Sequence, residues 1–137
     1  MCRLIVVPVV ALLVLTGCDK TQPLDDFRSD ASRACQASIK RMAEIQSDRD
    51  AADAVEDEYG VDTAIQEAGE EPGRLLRKLE RLTPPDRRSA EVGAWLDAFR
   101  DAVEARGHDG DRFPAVVLDP AQKLGLPACV TGIDAFN

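Results

Sequence analysis

Four cysteines, one histidine and a dense acidic run are the groups with which this chain of 137 residues could do chemistry. The cysteines stand at positions 2, 18, 35 and 129. No two are spaced as Cys-x-x-Cys, the arrangement that lowers a thiol pKa for redox exchange. His108 lies in Gly107-His108-Asp109-Gly110-Asp111, three potential ligands in one short stretch. Glycine and aspartate are the residues turns use, so that stretch reads as a polar connection and not as a metal site. The run from Asp48 to Glu58 also carries Asp50, Asp53, Glu56 and Asp57. A calcium-binding EF-hand loop needs glycine at its sixth position, where this run has Asp53. Glu70 and Glu71 are neighbours in sequence and diverge on a helix, so they form no acid–base couple. There is no Gly-x-Ser-x-Gly, no His-Glu-x-x-His and no phosphate-cradling glycine loop. These residues imply no catalytic group, metal or cofactor, and a protein that is not an enzyme is expected.

The first residues carry a different message. One cation, Arg3, precedes the unbroken apolar run Leu4 to Val14, and the chain turns polar at Asp19. That order is a secretory signal peptide, and the run is shorter than the roughly 20 residues a spanning helix needs. Between them, Leu15-Thr16-Gly17-Cys18 resembles the lipobox of bacterial lipoprotein precursors. The resemblance implies that residues 1–17 are removed and that Cys18 becomes the acylated first residue. Two or more acyl chains anchor stably, where one alone is marginal. On that reading, residues 18–24 are a lipidated tether and residues 25–137 a helical domain. The domain would be held to the cell membrane by acyl chains on Cys18. It would face the extracytoplasmic side, the periplasm where the source has an outer membrane.

Export has consequences for the other cysteines and for charge. Cys2 leaves with the signal peptide and Cys18 carries lipid, so Cys35 and Cys129 enter an oxidising compartment and one disulfide between them is expected. The mature chain keeps all 25 acidic residues and loses one of the 17 basic ones, Arg3. Such an acidic surface disfavours nucleic acid and anionic lipid headgroups, and its plainest role is solubility.

The elements follow from periodicity. Phe27, Ala31, Ala34, Cys35, Ser38, Met42 and Ile45 recur three or four apart and predict a helix from Asp25 to Gln46. Ser47 to Tyr59 reads as either a loosely held helix or a long connection, interrupted by Gly60. Val61, Ile65, Ala68, Pro72, Leu75, Leu79 and Leu82 form the most regular seam, with a kink or break expected near Glu70-Glu71 ahead of Pro72. Thr83-Pro84-Pro85-Asp86 stops that helix and is expected to open a third, running to Arg106 with Thr83 as its N-cap. Val92, Trp95, Leu96, Phe99, Ala102 and Val103 would face inward, Trp95 as core and not as a sugar-stacking platform. A short fourth helix, Pro114 to Leu124, would bury Phe113, Val116, Val117, Ala121 and Leu124. Gly125-Leu126 then makes a left-handed C-cap. No segment alternates as a strand does.

The expected fold is therefore all-α: an up-down four-helix bundle with a short fourth helix and one disulfide, behind a cleaved signal peptide. The fourth helix would descend about 17 Å and stop near the middle of the first, bringing Cys129 to Cys35. The body, from Leu82-Thr83-Pro84-Pro85 through Trp95 to Leu124-Gly125-Leu126-Pro127-Ala128-Cys129, also resembles small helical envelope proteins of bacteria. That likeness implies the fold and the disulfide and carries no activity. The expected role is a membrane-anchored, non-enzymatic envelope lipoprotein that binds or scaffolds a protein partner. The alternative is an acidic inhibitor or immunity-type lipoprotein that caps a basic secreted enzyme.

Overall fold

The stripe that begins at Phe27 does build a helix, and it runs further than periodicity alone suggests. The computed structural model describes residues 21–109 and 112–137, apart from the side chains of residues 107–109. Cys18, with the acylation and signal peptide expected around it, lies outside the described residues. Those described form five helices: α1 Leu24–Asp53, α2 Glu58–Glu80, α3 Ser89–Asp109, α4 Ala115–Lys123 and α5 Pro127–Asp134. No helix among them is long and apolar enough to cross a membrane.

On α1, Phe27, Ala31, Cys35, Ser38 and Ile45 are buried. The helix continues through the acidic stretch to Asp53, where Ala51 and Ala52 favour helix. On α2, Leu75, Leu76 and Leu79 are core. This helix starts three residues before the expected Val61 and passes Pro72 without a break. Tertiary packing holds both sides of the proline. Pro72 itself is buried, and one residue earlier the Ser38 hydroxyl donates to the buried Glu71 carboxylate at 2.8 Å. Ile65, expected in the seam, is instead 52% exposed, at the edge of an open recess it shares with Met42 of α1 and Val103 of α3.

The double proline does not open α3. Pro84 O accepts from Gln22 N–H at 3.0 Å, Gln22 O accepts from Asp86 N–H at 2.7 Å, and the Gln22 amide donates to Thr83 O. This loop receives the start of the domain instead of capping a helix. α3 begins at Ser89, after Arg88 adopts a left-handed backbone (φ 65°). It extends past Arg106 to Asp109, so the expected turn at Gly107 belongs in part to the helix.

The largest departure is α5, which no sequence feature above announces. Pro127 opens it, a position where the missing N–H costs nothing. The short fourth helix is present as α4, but α4 packs on α3 and α5, and it is α5 that lies against α1. Each helix contacts the next and α5 closes the ring on α1. Leu126, Cys129, Ile133 and Phe136 fill that junction. The Gly125 cap forms as expected: φ is 77°, Leu126 N–H donates to Ala121 O at 3.0 Å, and Leu126 is fully buried. Trp95 is core, with its indole N–H on Val117 O at 3.1 Å. Val116, expected inside, is 60% exposed on the outer side of α4.

Candidate functional site

Thirty residues of helix carry the chain about 45 Å from Leu24 before α1 ends. The reversal there is tight and specified locally. Glu56 takes a left-handed backbone (φ 55°), its N–H donates to Asp53 O at 3.1 Å, and Asp57 N–H reaches back to Ala52 O at 2.9 Å. That is the helix-ending bond pattern that usually employs glycine at the left-handed position. Asp57 then caps α2 by accepting from Gly60 N–H at 3.1 Å.

Gly60 is required by contact. A Cβ on it would stand 2.6 Å from Asp57 Oδ2 and 2.8 Å from Ala52 Cβ. Alanine normally stabilises a helix interior by about 0.5–1 kcal/mol over glycine, but relieving an overpacked contact costs about 1–3 kcal/mol. Gly60→Ala is therefore expected to destabilise. Hydrogen exchange should show the loss concentrated in residues 50–65, and unchanged exchange there would contradict the packing.

What the tip presents is charge without compensation. From Asp48 to Asp62 the chain has seven carboxylates and one cation, Arg49. None of the seven forms an ion pair among the described residues; Asp50 accepts only from the Gln46 amide, at 2.6 Å. The body differs. Arg28 pairs with Asp25, Arg74 with Glu70, Arg88 with Glu91 and Arg100 with Glu80. Hydrogen bonds from Gln66 and then Arg74 hold the Glu70 carboxyl below its ordinary pKa, and Arg88 does the same for Glu91. Exposed pairs of this kind add little stability, but they cancel field over the body and leave the tip as the negative pole.

Apolar groups sit within that acidic ring. Tyr59 is 82% exposed and Val55 73%, beside an open groove of about 530 Å³ lined by Ala51, Ala52, Thr63 and Ala64. A large exposed aromatic thus stands within a charged rim, a combination that aromatic-rich interfaces with polar rims also show. Sequence reasoning flagged the acidic run but not Tyr59, the only tyrosine in the chain, which pattern alone could not place outside the core.

The other candidate residues fall as follows. Cys35 and Cys129 are fully buried, and their sulfurs stand 2.08 Å apart, at disulfide distance. The His108, Asp109 and Asp111 side chains lie outside the described part. Among the described residues, no three His, Cys, Asp or Glu side chains come together as a metal site. No family model, no curated protein and no solved structure matches this chain.

Proposed function

We propose that this chain is the precursor of a membrane-anchored, non-enzymatic envelope lipoprotein that binds a protein partner through the α1–α2 tip. Acyl chains on Cys18 hold the start of the domain at the extracytoplasmic membrane face, and the long helices run up and down from that end. The observation that carries the reading is the set of carboxylates, in no ion pair among the described residues, around exposed Tyr59 and Val55, about 45 Å along α1 from its start. A domain that only needed solubility gains nothing from gathering its uncompensated charge around an exposed aromatic at the point furthest from the lipid. The partner has a basic face with an apolar recess, since the charge steers encounter and the aromatic supplies a desolvated anchor.

The same surface supports a second reading. An acidic rim around an aromatic also suits the basic mouth of a secreted enzyme, which makes the protein an inhibitor or immunity-type lipoprotein. The two differ in whether the captured partner loses activity.

Replacing Asp48, Asp50, Asp53, Glu56 and Glu58 by their amides, with the capping Asp57 kept, is expected to slow partner association about tenfold or more. Association is followed by surface biosensing against partners recovered from detergent-solubilised envelope. The same variant loses its dependence on salt concentration. Unchanged association and unchanged salt dependence would remove the tip from the interaction.

A further inference from the structure

We infer that the groove beside Tyr59 seats a basic amphipathic helix of the partner, which lies along the α1–α2 seam with its apolar row inward and its cations on the acidic rim. This rests on the reading of the tip as a partner surface and names what seats there. It does not depend on acylation of Cys18.

The groove runs along the helix axes. Ile45, Asp48 and Ala52 line it three or four apart on α1, and Gly60, Thr63 and Glu67 do so on α2. From Ile45 to Asp53, where α1 ends, it extends about 12 Å, slightly over two turns of a docked helix. Ile45 and Ala64 are buried at its floor. The walls are short: Ala51, Ala52, Gly60 and Thr63 let another backbone approach to the roughly 8–10 Å between axes at which helices pack. All of the lining belongs to α1, α2 or the turn between them, and no residue of α3, α4 or α5 enters it.

Charge sets the sign of the occupant. Asp48 stands on the α1 wall, Glu67 on the α2 wall and Asp57 at the turn, and no cation lines the groove. Arg41 engages Glu67, while Asp48 and Asp57 are in no ion pair among the described residues. A wholly apolar segment would cover these carboxylates without compensation. Lysine and arginine instead lay their stems over the apolar floor and keep their charged heads at the rim.

The walls set its form. An added strand needs a sheet edge, and the described elements are all helices. A polyproline segment needs an aromatic-lined groove, and Tyr59 is the one ring in this lining. A helix needs a trough that accepts apolar anchors three and four residues apart, which is what two antiparallel helices with short side chains provide. Exposed Tyr59 and Val55 then pack between its turns at the open end. A second copy of this chain is not the occupant, because each of its five helices already commits its apolar row to its own core.

The test uses the full chain, alanine-methyl labelled, in zwitterionic nanodiscs. The probe is a synthetic Leu/Lys peptide of about 18 residues with its leucines on one helical face, long enough to hold helix. Its control has the same composition reordered so that the leucines are spread around the helix. The Ala52 and Ala64 methyls report the groove, and the fully buried Ala31 and Ala121 report the body. The amphipathic peptide is expected to shift Ala52 and Ala64 saturably, with the reordered peptide at least about tenfold weaker. Ala51→Gln with Thr63→Gln lengthens both walls at exposed positions without changing charge. It is expected to weaken the amphipathic peptide about tenfold and leave the reordered one unchanged. Equal shifts from both peptides, or no weakening by the glutamine pair, overturn the helix seat and leave the tip as a surface read by charge alone. If the glutamine pair disturbs Ala31 or Ala121, the comparison of peptides on the native chain decides. No shift of Ala52 or Ala64 by either peptide at low salt overturns the seat and the reading of the tip together.

Discussion

Replacing Cys35 and Cys129 together by alanine is expected to lower the stability of the folded domain by about 4–5 kcal/mol, the value chain entropy gives for so long a loop. The two positions are 94 residues apart, so the bridge ties α1 to α5 across nearly the whole domain. Both residues are fully buried, and alanine keeps the site apolar without leaving a lone thiol or an unsatisfied hydroxyl. The loss should fall on the ring closure, because α5 meets α1 beside that link, where Gly132 stands 3.4 Å from the Cys35 carbonyl oxygen by its would-be Cβ. In a thermal melt a change of this size is roughly 15 °C or more for a domain of this length. Reductant should produce the same shift in the native protein and none in the double variant. Counting thiols in unreduced, denatured protein decides the matter first. Both thiols reacting would exclude the bridge and leave ring closure to apolar packing alone.

Cys18→Ser is expected to have an all-or-none effect. On the proposed lipoprotein reading it removes the only acceptor for the first acyl chain, so the precursor stays unprocessed and residues 1–17 are retained. Metabolic labelling with a fatty acid should mark the native chain and not the variant. Mass spectrometry of the native protein should find a diacylated or triacylated N-terminus on Cys18. An unmodified mature N-terminus elsewhere would end the anchored reading. It would leave the tip and its groove as features of a secreted domain. Folding of residues 25–137 should be unaffected, since neither the Cys35–Cys129 link nor the Gln22–Pro84 pairing involves Cys18.

Several features of this protein are decided by residues close together in sequence. α1 is legible because Phe27, Ala31, Cys35 and Ile45 share one face, and burying that face needs nothing but helical period. The Gly125 cap is legible because only glycine takes a left-handed backbone cheaply next to a buried leucine. Trp95 within the α3 stripe is legible for the same periodic reason. The acidic run was visible as composition, but its exposure at a hairpin tip was not. That depended on α1 and α2 outrunning α3, α4 and α5, a comparison of lengths made only once the ring is assembled.

Tertiary structure decided the rest. Pro72 promised a break, yet contacts on both sides of it, from Ser38 to Glu71 and from Leu75 and Leu76 to the core, outweigh one missing backbone bond. The Thr83 to Asp86 segment has the residues of a helix start, but its free carbonyls were claimed by Gln22, 61 residues away from Thr83. α5 is only eight residues long, too short to hold helix on its own, and exists because Cys129 and Ile133 are buried against α1. The recess around Arg106 draws on α1, α2, α3 and the last residues of the chain. No local pattern could assemble it, because a cavity is defined by what distant segments leave unfilled.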